Sequence, residues 1–252
     1  MRQGLVTPRY LIDIKGISSL DYIKFNPKEG LRIGSLATHR AIEKSPAIRS
    51  GFSVIAEMEQ RIADVENRNW GTIGGNLCHG DPVGDPAPVL IALDGKLKIA
   101  SSNAKRSMGV EDFFLDYFET ALHTNEILTE IEVPNQLPRT GTAYDKTTAI
   151  EVDYAIVSAA VSINLGSKSN RCTNARIVLG AVANVPLRAK KAEKVLVGKE
   201  ITDNSIEEAA QIASEEARPT SDIHASEEYR RDLIKVLVRR VGREAVERAK
   251  RT

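Results

Sequence analysis

Two long β-rich runs, residues 154–165 (YAIVSAAVSINL) and 175–183 (ARIVLGAVA), constrain the fold more than any other feature of the chain. The GSKSNRCTN between them has the glycine and polar content of a hairpin loop, so the runs read as neighbouring antiparallel strands. Beyond them the pattern turns helical, over residues 187–197, 205–217 and 226–250. In the last of these, Leu233, Leu237 and Val241 recur at roughly helical spacing among Arg and Glu. Strands first and helices later specify an α+β fold rather than alternating βαβ units.

The first half is more mixed. Residues 10–14 (YLIDI) and 31–38 (LRIGSLAT) read as strands, with a turn at NPKEG ahead of the second. Residues 38–63 read as helix, capped by Thr38 and broken at Pro46. A short helix over residues 88–95, turning at Asp94-Gly95, and a strand over 96–102 follow. Residues 110–118 (VEDFFLDYF) read as a short aromatic helix. Residues 125–134 (NEILTEIEVP) read as a strand with Ile127, Thr129, Ile131 and Val133 on one side. NQLPRTGT, at 135–142, is the linker between two domains. The 252 residues suffice for one large domain or two ordinary ones.

Composition excludes several classes of function. A formal charge of +1 gives no electrostatic reason to bind nucleic acid or a membrane surface, and 5% aromatics leave little for a base-stacking platform. The 154–165 run is too short and too serine-rich to span a bilayer. Two cysteines, Cys78 and Cys172, cannot ligate an iron–sulfur cluster and show no zinc spacing, so no metal site is expected. Free thiols and the lack of an apolar leader run fit a cytoplasmic protein.

The densest local signal is residues 69–88, NWGTIGGNLCHGDPVGDPAP. It is neither a GxGxxG dinucleotide fingerprint nor a P-loop. Gly74 and Gly75 allow positive φ and carry no Cβ, which lets successive amides converge on an anion. Thr72 and Asn76 flank them with a hydroxyl and an amide, and Asp85 has the chemistry to accept hydrogen bonds from a ribose. The same residues also suit a glycine turn feeding a helix that Asp85 and Pro86 cap. Residue types alone leave both readings open.

The longer stretch NWGTIGGNLCHGDPVGDPAPVLIALDGKLKI resembles the FAD-binding medium subunit of molybdenum hydroxylases, the carbon monoxide dehydrogenase / xanthine dehydrogenase flavoprotein family. TPRYLIDIKGI, LRIGSLATH, ILTEIEVP, TAYDKTTAIEVDYAIVSAAVSI, VPLRAKKAEKVLVG and EYRRDLIKVLVRR resemble further family motifs in order along nearly the whole chain. The resemblance implies an α+β architecture: a PCMH/VAO-type FAD-binding domain over residues 1–138, then a flavoprotein C-terminal domain of antiparallel sheet plus helices over 139–252. It implies FAD contacts from Thr72, Ile73, Gly74, Gly75 and Asn76 at the pyrophosphate and ribityl region, and from Asp85, Leu128 and Lys146, the last reaching the isoalloxazine edge. His79 and Asp81 lie in a CHGDP pattern resembling the carbon monoxide dehydrogenase branch, while Trp70 and Cys78 read as packing residues. No residue is assigned a catalytic role. FAD would take electrons from 2Fe–2S clusters on a small subunit, fed by the molybdenum cofactor of a large subunit, and pass them to an external acceptor.

The sequence departs from the family in two places. The family's first glycine-rich loop, of the type Ala-Gly-Gly-x-Ser, has no counterpart here, which makes the FAD-binding domain incomplete and its hold on FAD the weakest expectation. Three explanations stay open: a separate chain that supplies the segment, a longer natural start, or a relative that lost FAD and serves as a flavin-free structural or assembly subunit. Cover is also expected to be lost around Leu11 and Ile33, exposing an apolar patch. Ala149-Ile150 stand where relatives often carry arginine, so no basic role is carried over there.

Overall fold

The turn at NPKEG forms and starts the first sheet. A computed structural model describes residues 7–150, 152–167 and 169–251. Strands β1 (Ile23–Asn26) and β2 (Gly30–Gly34) pair antiparallel across this turn. Gly30 sits at φ +97°, and a Cβ there would lie 2.3 Å from the carbonyl oxygen of Val133, so position 30 requires glycine on two counts. With β3 (Lys96–Ala100), β4 (Lys105–Gly109) and β7 (Ile127–Val133), these strands make an antiparallel five-stranded sheet in the order β1-β2-β7-β3-β4.

Six short helices run between β2 and β3: α1 (His39–Lys44), α2 (Pro46–Gly51), α3 (Ser53–Glu59), α4 (Val65–Trp70), α5 (Ile73–His79) and α6 (Pro86–Ala92). Thr38 caps α1, its hydroxyl accepting from the amide of Ala41 at 3.1 Å. Pro46 opens α2 at a position where its missing N–H costs nothing. The predicted turn after α6 forms with Asp94 at φ +62°.

The second sheet is antiparallel with four strands in the order β11-β10-β9-β8. These are β8 (Thr140–Thr148), β9 (Ala155–Leu165), β10 (Cys172–Gly180) and β11 (Leu187–Arg188). Helices α7 (Lys190–Leu196), α8 (Asp203–Glu216) and α9 (Glu227–Arg251) complete the chain. All of β9 is buried, which explains its unbroken apolar run: α9 packs against it, and so does α6. Leu237 and Val241 of α9 are buried, while Leu233 is partly buried at the edge of the same core. Every residue of α6 is buried, and Tyr144, Ala160 and Val178 of the second sheet join the core of the first. The two sheets therefore meet through α6, and the site lies at that junction.

Three expectations fail locally. Residues 10–14 form no strand; Tyr10, Leu11 and Ile12 are 86%, 76% and 82% exposed, because their alternation finds no partner strand. Leu11 is thus exposed as expected, whereas Ile33 is completely buried. Residues 110–118 are not a helix but a 3-10 turn, Glu111–Phe113, followed by a hairpin of β5 (Phe114–Asp116) and β6 (Glu119–Thr120). Its aromatics suit strand better than helix, and Phe118 takes the turn at φ +53°. In β7 the alternation breaks at an irregularity opposite Lys98 and Ile99, so Leu128 and Ile131 are both buried and Ile127 is exposed.

Among the described residues no helix is long and apolar enough to cross a membrane, and no group of three or more His, Cys, Asp and Glu is placed to hold a metal ion.

Candidate functional site

The glycine-rich stretch folds as a short helix bound tightly to the first sheet. Thr72 caps α5, its Oγ1 accepting from the amide of Gly75 at 3.1 Å. The amide of Ile73 donates to the carbonyl of Ala37 at 3.1 Å, that of Gly74 to Ser35 at 2.9 Å, and that of Asn76 to Thr72 at 3.0 Å. The amides expected to converge on an anion are therefore bonded within the chain. Neither Gly74 nor Gly75 takes positive φ. Gly74 is required by proximity instead: a Cβ there would lie 2.6 Å from both Cβ and the carbonyl oxygen of Ser35. Gly80, which ends α5, does take the left-handed conformation, at φ +66°.

Asp85 and Lys146 come together. Lys146 Nζ lies 2.7 Å from Asp85 Oδ2, and the Tyr144 hydroxyl donates to Asp85 Oδ1 at 2.5 Å. All three are buried, at 7%, 4% and 7% exposure for Asp85, Lys146 and Tyr144. Lys146 Nζ also donates to the carbonyl of Asp153 at 3.3 Å. Burial, and then the adjacent Asp85 charge, push the Tyr144 phenol well above its ordinary value of 10.0, so it stays a hydrogen-bond donor. Arg61 braces the strand from outside, donating to the Lys146 carbonyl at 2.9 Å and pairing with Asp145.

Asp85 and Lys146 line a cleft of about 450 Å³ together with Asn67, Trp70, Gly71 and Asn76. A second hollow of about 820 Å³ adjoins it, sharing Val83, Asp153 and Tyr154 and rimmed by His79 and Phe118. Both volumes fall in the range of small-molecule sites. The donors that remain for a ligand are side chains: the Asn76 amide has no partner among the described residues. Thr72 is half-buried and Gly75 exposed, whereas Ile73, Gly74 and Leu128 are buried beneath. Leu128 is 2% exposed, facing Ile99 across the sheet.

Trp70 is no packing residue: it is 72% exposed, with Lys15 Nζ 4.4 Å from its ring centroid. Cys78 does pack against the first core, and burial pushes its thiol up to about 11, far from a reactive thiolate. His79 stays exposed, 5.1 Å ring to ring from Phe118. Tyr144 and Tyr154 were missed from the sequence. Tyr144 was legible in principle, since it stands two residues before Lys146 and strand alternation puts both on one face. Tyr154, 70% exposed where the hollows meet, carries no such signal.

Residues 1–136 match the FAD binding domain in molybdopterin dehydrogenase, and residues 142–245 match the CO dehydrogenase flavoprotein C-terminal domain. The chain belongs to the FAD-binding medium-subunit family of molybdenum hydroxylases. It is 34% identical to the carbon monoxide dehydrogenase medium chain of Afipia carboxidovorans, over 99% of this chain and 84% of that one. It is 33% identical to the glyceraldehyde dehydrogenase medium chain of Sulfolobus acidocaldarius, over 97% and 85% respectively. The fold superposes on carbon monoxide dehydrogenase from Hydrogenophaga pseudoflava with a TM-score of 0.94 and 32% identity, covering 98% of this chain and 85% of that one. It superposes on quinoline 2-oxidoreductase from Pseudomonas putida with a TM-score of 0.91 and 31% identity, covering 98% and 85%. This family of oxidoreductase subunits carries the α+β arrangement read from the sequence.

Proposed function

We propose that the chain is the electron-transfer flavoprotein of a molybdenum hydroxylase-type oxidoreductase, taking electrons from iron–sulfur clusters on a partner subunit and passing them to an external acceptor. The observation that carries this reading is the match to an FAD binding domain over residues 1–136, which supplies Asn76 and Asp85 to the cleft, while Lys146 reaches it from the matched C-terminal domain. Bound FAD supplies the redox chemistry, and the chain supplies position and electrostatics. In our reading Thr72, Gly75, Asn76, Asp85 and Lys146 face the cofactor. Ile73, Gly74 and Leu128 fix that surface from beneath. The Asp85–Lys146 pair is net neutral, so it offers a polar wall without a net charge next to the flavin. The division into an FAD-binding domain over 1–138 and a C-terminal domain over 139–252 belongs to this proposal, as does a cytoplasmic setting, which suits the two free thiols.

The partners we propose are a large molybdenum-binding subunit and a small 2Fe–2S subunit. Relatives named as medium chains, and one named as a subunit of a dehydrogenase complex, support this. Their names range over carbon monoxide, glyceraldehyde and nicotine, so a medium subunit of this kind does not select the substrate. One observation favours a second reading, a flavin-free structural or assembly subunit: the amides of Ile73, Gly74, Gly75 and Asn76 are already bonded within the chain. The two readings separate in one experiment. When the reduced iron–sulfur subunit is mixed anaerobically with the FAD-loaded chain, the flavin absorbance should bleach. Flavin that stays oxidised would contradict electron transfer.

A further inference from the structure

The cleft holds a polar group outside the proposed FAD set. His39, the first residue of α1, is 4% exposed, and its Nδ1 lies 2.7 Å from Oε2 of the completely buried Glu59 on α3. Its Nε2 has no hydrogen-bond partner among the described residues. The Nε2 edge lies against Gly71, where a Cβ would approach to 3.0 Å from Cδ2 and 3.5 Å from Nε2. Glycine there keeps the imidazole edge uncovered, and both residues line the cleft beside Asn76, Asp85 and Lys146.

A proton count fixes what Nε2 offers. If the His39–Glu59 pair holds one proton, it carries a net charge of −1; if it holds two, it is neutral. The complete burial of Glu59 favours the neutral, two-proton pair. With one proton shared in the Nδ1–Oε2 contact, imidazolium with carboxylate and neutral imidazole with a carboxylic acid protonated on Oε2 both leave a hydrogen on Nε2. Glu59 Oε1 is buried without a partner, which a carboxylic acid tolerates better than a carboxylate. Burial lifts the Glu59 carboxyl above its ordinary value, against the pull of His39, and Asp85 and Glu43 lift it further.

The charged groups around the pair agree. On α1, Glu43 is tied to Arg40 and Lys44, to Arg68 of α4, and through its carbonyl to Arg49 of α2. Asp85 is neutralised by Lys146 of β8, beside the neutral Tyr144. The cleft itself is lined by Asp64, Asp85 and Asp153 against Lys146, an acidic balance that disfavours a diphosphate and suits an uncharged ring system with oxygen acceptors.

We propose that His39 is a further cofactor-binding residue, donating its Nε2–H to a carbonyl or hydroxyl oxygen of the flavin half of FAD, with Glu59 as the positioning residue that turns that hydrogen toward the cleft. This rests on the FAD reading above. FAD and riboflavin are titrated against the full chain and against His39→Phe, His39→Gln and Glu59→Gln. Phe removes the donor, whereas Gln returns an N–H near the position of Nε2. Gln at 59 donates to Nδ1 as the carboxylic acid does. His39→Phe should weaken FAD and riboflavin by the same factor, roughly 3- to 10-fold. His39→Gln should recover most of the loss, and Glu59→Gln should bind like the natural chain. Unchanged FAD affinity in His39→Phe overturns the inference, as does a loss for FAD that riboflavin does not share. A natural chain that binds no FAD overturns the flavin reading itself, and this inference with it. Nitrogen-15 NMR of the natural chain needs no variant to fold: the His39 Nε2 should be protonated at neutral pH and shift when riboflavin binds. A bare Nε2, or one that riboflavin does not move, contradicts the assignment.

Discussion

Replacing Asp85 by alanine should destabilise the chain by about 3–5 kcal/mol and abolish cofactor binding at the cleft. The size follows from what is left behind. Lys146 Nζ, 2.7 Å from the carboxylate, would lose its counter-ion in a site where its side chain is 2% exposed. Its other contact is the Asp153 carbonyl at 3.3 Å, which cannot neutralise it. The Tyr144 hydroxyl would lose the acceptor at 2.5 Å as well. Exchanging both Asp85 and Lys146 for apolar residues of similar size should cost much less stability than Asp85→Ala, because no buried charge is then stranded. Urea unfolding of the single and double variants measures this. Equal losses in both would show that the pair acts through packing alone.

Gly74→Val should be the most damaging change in the glycine-rich stretch. Its Cβ would meet backbone and Cβ atoms of Ser35 at 2.6 Å, and neither can swing aside. The Gly74 amide donates to the Ser35 carbonyl at 2.9 Å, so α5 would have to lift off the Ser35 backbone that follows β2 and break that bond. Overpacking of this kind costs about 1–3 kcal/mol, and the shift carries Asn76 away from the cleft wall. Gly75→Ala should be milder, since its Cβ meets the Thr72 hydroxyl at 3.0 Å, a side chain that can rotate at the cost of the cap. Thermal unfolding together with FAD titration would rank the two. Gly75→Ala proving worse than Gly74→Val would contradict this account of the stretch.

The second half of the fold was the more legible from sequence. Residues 154–165 are apolar enough to admit only a covered strand, and the polar GSKSNRCTN leaves its hairpin little alternative. Thr38 and Pro46 marked helix ends because their local chemistry decides there. Residues 10–14 and 110–118 were misread because their outcome depends on partners: the first finds no neighbouring strand, and the second finds one in its own hairpin. The alternation in β7 failed at an irregularity set by its pairing with β3.

In the site, Asp85 and Lys146 each drew notice, but their pairing spans 61 positions and no local pattern encodes it. The glycines were read for backbone freedom, whereas Gly74 is needed because α5 presses on Ser35, a distance that exists only in the folded chain. His39 lay unnoticed inside LRIGSLATH, because the carboxyl that orients it is twenty residues away on another helix.

The central claim is that this chain builds a flavin site around the Asn76, Asp85 and Lys146 cleft. The most direct test is a titration of the full chain with FAD, followed by flavin fluorescence and by co-elution of protein and flavin. Saturation at one FAD per chain, lost in Asp85→Ala, is the predicted result. No binding at any FAD concentration, or binding that Asp85→Ala leaves unchanged, would contradict it.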